Sequence, residues 1–256
     1  MVQLLPEDVS RCHATIHVQN AGQYWLIDLG SAFGTYLNDR RLVQPRQLSD
    51  GDRISIGGVE IVFHTVVRSE PSDTLQTETG SAKTSARIGW LLLADIENST
   101  RLSQQLPDDA LARLIGTWTR ICRDAVEENE GAINNYIGDA ILAYWWHGDT
   151  IPARVAATLT ALRPEQTKAD PPFRLIVHFG SIVRGYGASH GAECLEGPTV
   201  IFPFRIEKIA ARLREPVLLS SEAAEALGGA FPTRPLPGRH AVKSFDGRYK
   251  FFVPKS

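Results

Sequence analysis

The sequence predicts two domains, an all-β sandwich followed by an α/β or α+β domain with a mostly antiparallel sheet. Three observations predict this division. Residues 1–66 hold short runs rich in β-branched and aromatic residues, separated by Gly, Asp and Asn. Residues 67–86 are rich in Ser and Thr. Residues 87–256 alternate strand-like apolar runs with segments of helical periodicity.

The first domain is predicted from closely spaced runs, which favour a sandwich or a barrel. They are ATIHV, QYWLIDL, GTYLN, DRISIG and VEIVFH. After them, residues 67–86 have too few large apolar side chains to bury a core, so we expect a flexible linker. The alternative is a long loop inside one domain, which is uncommon in compact domains.

The second domain opens with IGWLLLADI, a continuous apolar run typical of a buried central strand. Apolar residues then recur at helical spacing over residues 108–129, and Gly131 follows as a stop. The stretch INNYIGDAILAY reads as a hairpin. A second helix is expected over residues 152–162. The remaining elements are the strand region FRLIVHFGSIVRG, the helix RIEKIAARLRE, the strand PVLLS, the short helix EAAEAL and the strand YKFFVP.

Composition restricts the class of protein. The net charge is −2, so no global field favours a nucleic acid or an anionic membrane. The three cysteines lie far apart without a CxxC pair, which is typical of a reduced chain. The first residues do not resemble a secretory signal, and no apolar run approaches the roughly 18–20 residues that span a bilayer. We therefore expect a cytoplasmic protein.

Two carboxylates stand where strands are expected to end. Asp95 closes the run LLLAD, and the following IENST leads into a helix, whose first N–H groups form a cradle for phosphate. Asp139 lies at a Gly-Asp turn in the hairpin. If both carboxylates meet at one sheet edge, they suit Mg²⁺ held between protein and phosphate. The alternative is a helix cap and an ordinary turn.

Three segments of the second domain resemble the class III nucleotidyl cyclases. They are LLLADIENSTRLSQQL, NNYIGDAILAYW and GPTVIFPFRIEKIAARL, in the family's order and spacing. The resemblance implies a ferredoxin-like palm sheet and a head-to-tail dimer, homo- or heteromeric, with its sites at the interface. It implies conversion of ATP or GTP to the 3′,5′-cyclic nucleotide and pyrophosphate.

The resemblance also assigns roles to individual residues. The carboxylates of Asp95 and Asp139 and the carbonyl of Ile96 would hold two Mg²⁺ or Mn²⁺ ions. Arg205 would stabilise the transition state. The backbone of four successive residues would hold the triphosphate, namely Glu97, Asn98, Ser99 and Thr100.

Other positions depart from the family. The two base-reading positions are Asn135 and Cys194, a pair that matches neither the adenine nor the guanine scheme. Ile201 stands where the family has the ribose-orienting asparagine, and Pro203 and Phe204 replace small residues. The loss of one preorganised polar contact costs about 10²–10³ in rate, so turnover should be slow or absent.

The first domain resembles a forkhead-associated (FHA) domain in VSRCHATI, IDLGSAFGTYLNDRRL and LSDGDRISIG. This implies phosphothreonine-peptide binding by Ser10, Arg11, Gly34 and Thr35, with His13 supporting the loops. The family asparagine before Gly34 is a phenylalanine here, and too few residues precede Ser10 for the loop that carries the phosphate-gripping arginine. We therefore expect a domain incomplete at its N-terminus, and a scaffold or dimer-positioning role is the alternative.

Two functions follow from these resemblances. The first is a cyclase in intracellular signalling, with the β domain as its input. The second is a degenerate pseudo-cyclase, an adaptor that dimerises, senses nucleotide and binds phosphopeptides. The metal-binding half of the site is intact and the base and ribose half departs. In the family these halves come from different chains, so a heterodimer with a complete partner could still be active.

Overall fold

The computed structural model describes residues 4, 8–10, 13–19, 23–65, 85–168, 171–186 and 193–255. In the N-terminal domain the strands are β1 (Ala14–Gln19), β2 (Gln23–Asp28), β3 (Thr35–Leu37), β4 (Arg40–Arg41), β5 (Arg46–Gln47), β6 (Arg53–Ile56) and β7 (Val59–Val62). They form two antiparallel sheets, in the orders β1-β2-β5 and β4-β3-β6-β7. Leucines and isoleucines between the sheets form one core, which confirms the predicted sandwich: Leu26, Leu42, Leu48, Ile54 and Ile56.

The described part of the predicted linker is its C-terminal end. Residues 67–84 of that prediction lie outside the described residues. Residues 85 and 86 are already part of the first strand of the second domain.

The second domain alternates strands and helices. In chain order they are β8 (Ser85–Ile96), α1 (Ser99–Gln105), α2 (Asp108–Glu127), β9 (Ala132–Ile137), β10 (Ala140–Trp146), α3 (Ile151–Lys168), β11 (Phe173–Tyr186), β12 (Glu193–Glu196), α4 (Pro198–Leu213), β13 (Val217–Ser220), α5 (Ser221–Leu227), a 3₁₀ turn (Gly228–Ala230), β14 (Thr233–Pro235), β15 (His240–Val242), β16 (Phe245–Tyr249) and β17 (Phe251–Pro254).

One eight-stranded sheet organises this domain. Its order is β14-β17-β13-β11-β8-β10-β9, with β12 paired to β11. Strands β11 and β13 are parallel, and the other described pairings of the sheet are antiparallel. The prediction of a mixed α/β domain with a mostly antiparallel sheet is confirmed. A separate hairpin, β15 with β16, lies outside the sheet.

Strand β8 is central and buried on both faces. Leu92 joins the apolar cluster that contains Trp118 of α2. Leu91 and Leu93 join the cluster on the other face, with Ile206 of α4. Because successive side chains of a strand point to opposite faces, only a continuous apolar run can fill both clusters.

Two helices extend beyond their predicted limits. Helix α4 begins at Pro198, well before the predicted start at Arg205. Proline suits the first helical position, where its missing N–H has no partner in any case. Pro203 then lies inside the helix with its ring buried, although proline normally disfavours a helix interior. Helix α3 likewise continues past Leu162 to Lys168.

The two domains share one apolar cluster. Ile27 of β2 and the adjacent Leu29 belong to the same buried cluster as Ile115 and Trp118 of α2. Arg41 Nε lies 2.9 Å from Asp109 Oδ1 near the start of α2. The N-terminal sandwich is therefore docked on helix α2.

Candidate functional site

The structure brings Asp95 and Asp139 to the same corner of the sheet. Asp95 is opposite Ala140 in the antiparallel pairing of β8 with β10. The backbone N–H of Ile96 donates to the carbonyl of Asp139 at 3.2 Å. Gly138 has φ 61°, a left-handed conformation that suits the tight turn between β9 and β10. The turn therefore places Asp139 beside the end of β8.

The charge around Asp95 is unbalanced towards negative. Burial, followed by repulsion from the carboxylates of Glu207 and Asp139, raises the pKa of Asp95 to about 7. Lys208 and Arg174 act in the opposite direction on the same pKa. A corner with this balance is a favourable place for a cation.

A partly buried ion-pair network, centred on Arg174 and Glu207, lies behind this corner. Arg174 of β11 stands opposite Asp95, and its Nη2 lies 2.7 Å from Glu97 Oε2. Arg174 Nη1 lies 3.4 Å from Oε1 of the buried Glu207, and Lys208 Nζ lies 2.8 Å from the other oxygen of Glu207. The network joins β11, α4 and the segment after β8. It fixes the acidic corner in place.

The segment after β8 only partly suits the predicted phosphate cradle. The N–H of Glu97 donates to the carbonyl of Pro172 at 2.7 Å. This amide is therefore already bonded within the chain, which corrects the prediction that it holds the triphosphate. Asn98 adopts a left-handed φ of 55° and makes no side-chain cap. Its carbonyl accepts from Arg101 at 2.9 Å. Ser99 and Thr100 are the first two residues of α1, and their N–H groups have no partner within the helix.

Arg205 does not face the acidic corner of its own chain. Arg205 and Glu207 are two residues apart on α4, so they lie about 200° apart around the helix axis. Glu207 is buried against Arg174 next to Asp95, whereas Arg205 is exposed. Ile201 precedes Arg205 by one turn, shares its side of the helix and is 49% exposed.

The two base-reading positions lie on different strands. Asn135 of β9 is in register with Leu142, which is in register with Leu93. Since Leu93 and Asp95 are two residues apart on β8, Asn135 belongs to the same face of the sheet as Asp95. Cys194 lies on β12, where its Cα is opposite Gly185 of β11.

In the N-terminal domain, His13 supports the two predicted recognition loops. The N–H of Ser10 donates to Nδ1 of His13 at 3.1 Å. Since Nδ1 accepts, Nε2 carries the proton, and it donates to the carbonyl of Gly34 at 3.1 Å. Ser10 Oγ accepts from the N–H of Ala32 at 3.2 Å. His13 thus connects the loops as the resemblance implies.

Thr35 is placed differently from the prediction. It is fully buried, and its hydroxyl donates to Asp28 Oδ2 at 2.7 Å. The same carboxylate accepts from the hydroxyl of Ser31 and from the backbone N–H groups of Gly30 and Ser31. Thr35 therefore holds the loop from inside, and the prediction that it contacts a phosphopeptide is corrected. Arg11 lies outside the described residues.

Comparison with known proteins supports this division of the chain. Residues 2–57 match the family model described as FHA domain. The glycogen accumulation regulator GarA of Mycolicibacterium smegmatis is 39% identical over 64 residues, which are 25% of this chain and 39% of that protein. This chain therefore matches well under half of the length of that curated relative.

Solved structures match the second domain. A bacterial light-regulated adenylyl cyclase is 17% identical, with a TM-score of 0.57, over 68% of this chain and 54% of that one. The guanylate cyclase domain of RhGC from Catenaria anguillulae, solved with GTP, is 18% identical with a TM-score of 0.55. It is matched over its full length by 67% of this chain.

The chain carries an FHA domain followed by a domain with the class III nucleotidyl cyclase fold. The alternating strands and helices that follow the FHA domain are the part of the chain that has this fold. Within the described ranges, no helix is both long enough and apolar enough to cross a membrane.

The residues that sequence reasoning missed in the cyclase-like domain are charged and buried. Arg174 is the one charged residue in the apolar run FRLIVHF, and Glu207 lies on the buried side of α4. A charged residue inside an apolar run indicates a buried ion pair, because charged residues are rarely buried without a partner. Its partners lie far away in the sequence, so the pattern could not name them.

Proposed function

We propose that the cyclase-like domain converts a nucleoside triphosphate, ATP or GTP, to the 3′,5′-cyclic nucleotide and pyrophosphate at the interface of a dimer. The observation that carries the proposal is the acidic corner, where Asp95 and Asp139 meet and repulsion contributes to the raised pKa of Asp95. A buried carboxylate beside two others costs stability, and a bound cation would remove that cost.

The donors at this corner fit Mg²⁺ or Mn²⁺. The carboxylates of Asp95 and Asp139, with the carbonyl of Ile96, would hold the ions, since hard cations prefer oxygen ligands. The described residues contain no cluster of three or more acidic, histidine or cysteine side chains suited to a metal. Phosphate oxygens of the substrate and water molecules would complete the shell of each ion. When bound, the ions lower the pKa of the ribose 3′-hydroxyl and stabilise negative charge on the α-phosphate.

The chain's own groups bind and orient the substrate. The N–H groups of Ser99 and Thr100, at the start of α1, would bind the triphosphate. Arg174 and Lys208 hold Glu207, so that the corner keeps its shape without substrate. Asn135 offers both a donor and an acceptor to a base. Arg205 comes from the second chain and stabilises charge on the phosphate in the transition state.

The dimer is supported by the direction of Arg205. In one chain, Arg205 points about 200° around α4 from the side that lines the acidic corner, so it cannot serve that corner. A second copy related by twofold symmetry can present its own Arg205 to the corner. This arrangement predicts two sites per dimer, each containing residues of both chains.

The departure at Ile201 favours a second candidate function. Isoleucine cannot orient a ribose, and its exposed side chain suits contact with another protein. The chain could then act as a pseudo-cyclase that dimerises and senses nucleotide, while the FHA domain binds a phosphothreonine peptide. The FHA proposal is supported by Ser10 and the loop at Gly34, which His13 holds together.

The first test detects product directly. Purified protein is incubated with Mn²⁺ and either ATP or GTP, and the cyclic nucleotide is measured by mass spectrometry. We expect slow formation of one product that disappears in Asp95→Ala and Asp139→Ala. We also expect Asn135→Lys to raise activity with ATP. No product from either nucleotide at high protein concentration would favour the pseudo-cyclase.

The dimer is tested by mixing two inactive variants. Asp139→Ala and Arg205→Ala each damage both sites of their own homodimer. In the mixture, a heterodimer has one site with both lesions and one with neither, so activity should return to about a quarter of that of the unmodified protein. A mixture as inactive as its components would show that Arg205 does not act across the interface.

A further inference from the structure

The FHA domain contacts the cyclase-like domain at the edge of the main sheet. Nε2 of His17, on β1, lies 3.0 Å from the carbonyl oxygen of Asn134. Oε1 of Gln19, two residues later, accepts from the N–H of Tyr136 at 3.0 Å. Both contacts join residues 117 positions apart in the sequence. One face of β1 therefore bonds directly to the backbone of β9.

These side chains take the place of a neighbouring strand. Strand β9 is last in the order of its sheet, so its outward N–H and C=O groups need other partners. Gln19 is only 3% exposed, and the ring of His17 meets the ring of Tyr136 edge-on, with centroids 5.1 Å apart. The bond of Gln19 to Tyr136 is therefore buried and that of His17 to Asn134 is partly buried, and hydrogen bonds removed from water are electrostatically stronger.

The protonation of His17 suits its contact. A carbonyl can only accept, so Nε2 must carry the proton. Burial lowers the pKa of His17, while its bond to Asn134 and the charge of Glu127 act in the opposite direction. The neutral imidazole with a proton on Nε2 therefore satisfies the carbonyl without placing a charge in the domain contact.

The two anchored residues flank Asn135. The register of β9 with β10 shifts at Asn134, between the pairs Asn135–Leu142 and Ile133–Ala143. Tyr136 belongs to the apolar cluster that contains α2, and Asn135, in register with Leu142, belongs to the face that carries Asp95. Fixing the peptide groups on both sides of a strand residue fixes the direction of its Cα–Cβ bond. The FHA strand thus controls where Asn135 points.

We propose that His17 and Gln19 are positioning residues for Asn135, through which the FHA domain sets how the cyclase-like domain distinguishes the bases of nucleotides. The inference rests on the proposed function, since it takes Asn135 as the residue that reads the base. It assigns to the FHA domain a part in substrate recognition that does not require a phosphopeptide.

His17 and Gln19 could instead only hold the two domains together, and this simpler role can be distinguished from the positioning of Asn135. Other residues also join the domains, including the Arg41–Asp109 ion pair. If His17 and Gln19 only held the domains together, loss of Arg41 would affect nucleotide binding in the same way. Ile16 and Val18, exposed on the other face of β1, provide controls on the same strand.

The test measures base preference in the full chain. Dissociation constants for ATP, GTP and tripolyphosphate are measured by calorimetry with Mn²⁺ in the unmodified protein and in five variants. Gln19→Met keeps the side-chain length but removes the acceptor, and His17→Phe keeps the ring on Tyr136 but removes the donor. His17→Gln restores a donor, and Arg41→Ala weakens docking elsewhere. Urea unfolding verifies that each variant is folded, and Ile16→Ser serves as the surface control.

We expect Gln19→Met and His17→Phe to change the ratio of the ATP and GTP dissociation constants about threefold to tenfold, the effect of one misplaced hydrogen bond. Tripolyphosphate affinity should stay the same, because β9 does not carry the phosphate segment. His17→Gln should restore much of the ratio, and Arg41→Ala and Ile16→Ser should leave it unchanged.

Two results would contradict the positioning role, and they differ in what they mean for the proposed function. If the unmodified protein prefers one base and neither His17→Phe nor Gln19→Met alters that preference, the positioning role is wrong and the proposed function stands. If ATP and GTP bind no better than tripolyphosphate in the unmodified protein, the base-reading site itself is absent. The proposed function and this inference then fail together.

Discussion

Gly116 of α2 and Gly30 of the FHA domain touch backbone to backbone. A Cβ atom at Gly116 would lie 2.8 Å from the Cα of Gly30 and 3.0 Å from the carbonyl oxygen of Asp28, and closer still to the amide nitrogen of Gly30. Glycine in a helix interior costs about 1 kcal/mol relative to alanine. The sequence accepts this cost in α2 because only glycine allows such an approach of the two domains.

Gly116→Ala should therefore destabilise the protein although alanine is the better helix former. The gain of about 1 kcal/mol in helix propensity is outweighed by the collision with rigid backbone. We expect the domains to separate, with a larger radius of gyration by small-angle X-ray scattering and an earlier first transition in urea. Gly148→Ala, where the added atom would only approach Ile151 at 3.6 Å, is the control. Unchanged scattering in Gly116→Ala would contradict the tight contact.

Thr35 offers a test of its supporting role. Valine matches its shape but removes the hydroxyl that donates to Asp28, so Thr35→Val should lower the free energy of unfolding by about 1–3 kcal/mol. Thr35→Ser keeps the donor and should lose less. Both values come from urea unfolding without any peptide. If Thr35→Val is as stable as the unmodified protein, the buried bond does not hold the loop.

Local patterns predicted the elements, and the resemblance to the cyclases predicted that they meet at the acidic corner. The run LLLAD is continuous because β8 fills two apolar clusters, and the Gly-Asp turn returns β10 beside β9, which leaves the other edge of β10 to pair with β8. The pairing of Asp95 and Asp139 therefore depends on one hairpin and one neighbouring strand. The hairpin and the end of β8 are readable from spacing and periodicity, whereas the placement of the hairpin beside β8 is not.

Long-range contacts could not be predicted in the same way. Arg174 and Glu97 are 77 residues apart, and Gln19 and Tyr136 are 117 apart. The resemblance to an FHA domain implies a phosphopeptide contact for Thr35, but its hydroxyl instead donates to the Asp28 carboxylate inside the domain. Such features depend on how finished elements meet, which no local pattern contains.

His178 should make the protein sensitive to acid. It is buried, its Nδ1 lies 2.9 Å from Ser220 Oγ, and burial lowers the pKa of His178 to about 4. The unfolded chain, with a histidine pKa near 6.5, takes up the proton first as the pH falls. The contribution of neutral His178 to stability is therefore fully present above the histidine pKa of the unfolded chain. It declines as the pH falls from there towards about 4.

Urea unfolding at two pH values measures this effect. When the pH is lowered from about 7.5 to about 5, protonation of His178 in the unfolded chain should lower the free energy of unfolding by about 2 kcal/mol. His178→Gln cannot take up a proton and should lose correspondingly less over the same interval. Burial also lowers the pKa of His17, so some acid sensitivity should remain in the variant. Equal losses in both proteins would show that His178 is not the group responsible.

Asp95 should be destabilising as long as no cation is bound. Burial and the neighbouring Glu207 and Asp139 carboxylates raise the pKa of Asp95 to about 7, against an ordinary value of 3.8. The folded protein thus holds a proton that the unfolded chain has already lost, and its stability falls as the pH rises through this interval. The full cost is present above the raised pKa.

Asp95→Asn removes the charge and should therefore stabilise the metal-free protein at about pH 8, by about 1–2 kcal/mol after allowance for solvent screening. Thermal unfolding with a chelator measures this gain, and Asp149→Asn, at an exposed position, is the control. Addition of Mn²⁺ should then raise the unfolding temperature of the unmodified protein but much less that of Asp95→Asn. If the variant is less stable than the unmodified protein with the chelator present, Arg174 and Lys208 already balance the corner. It would then have no excess negative charge to offer a metal.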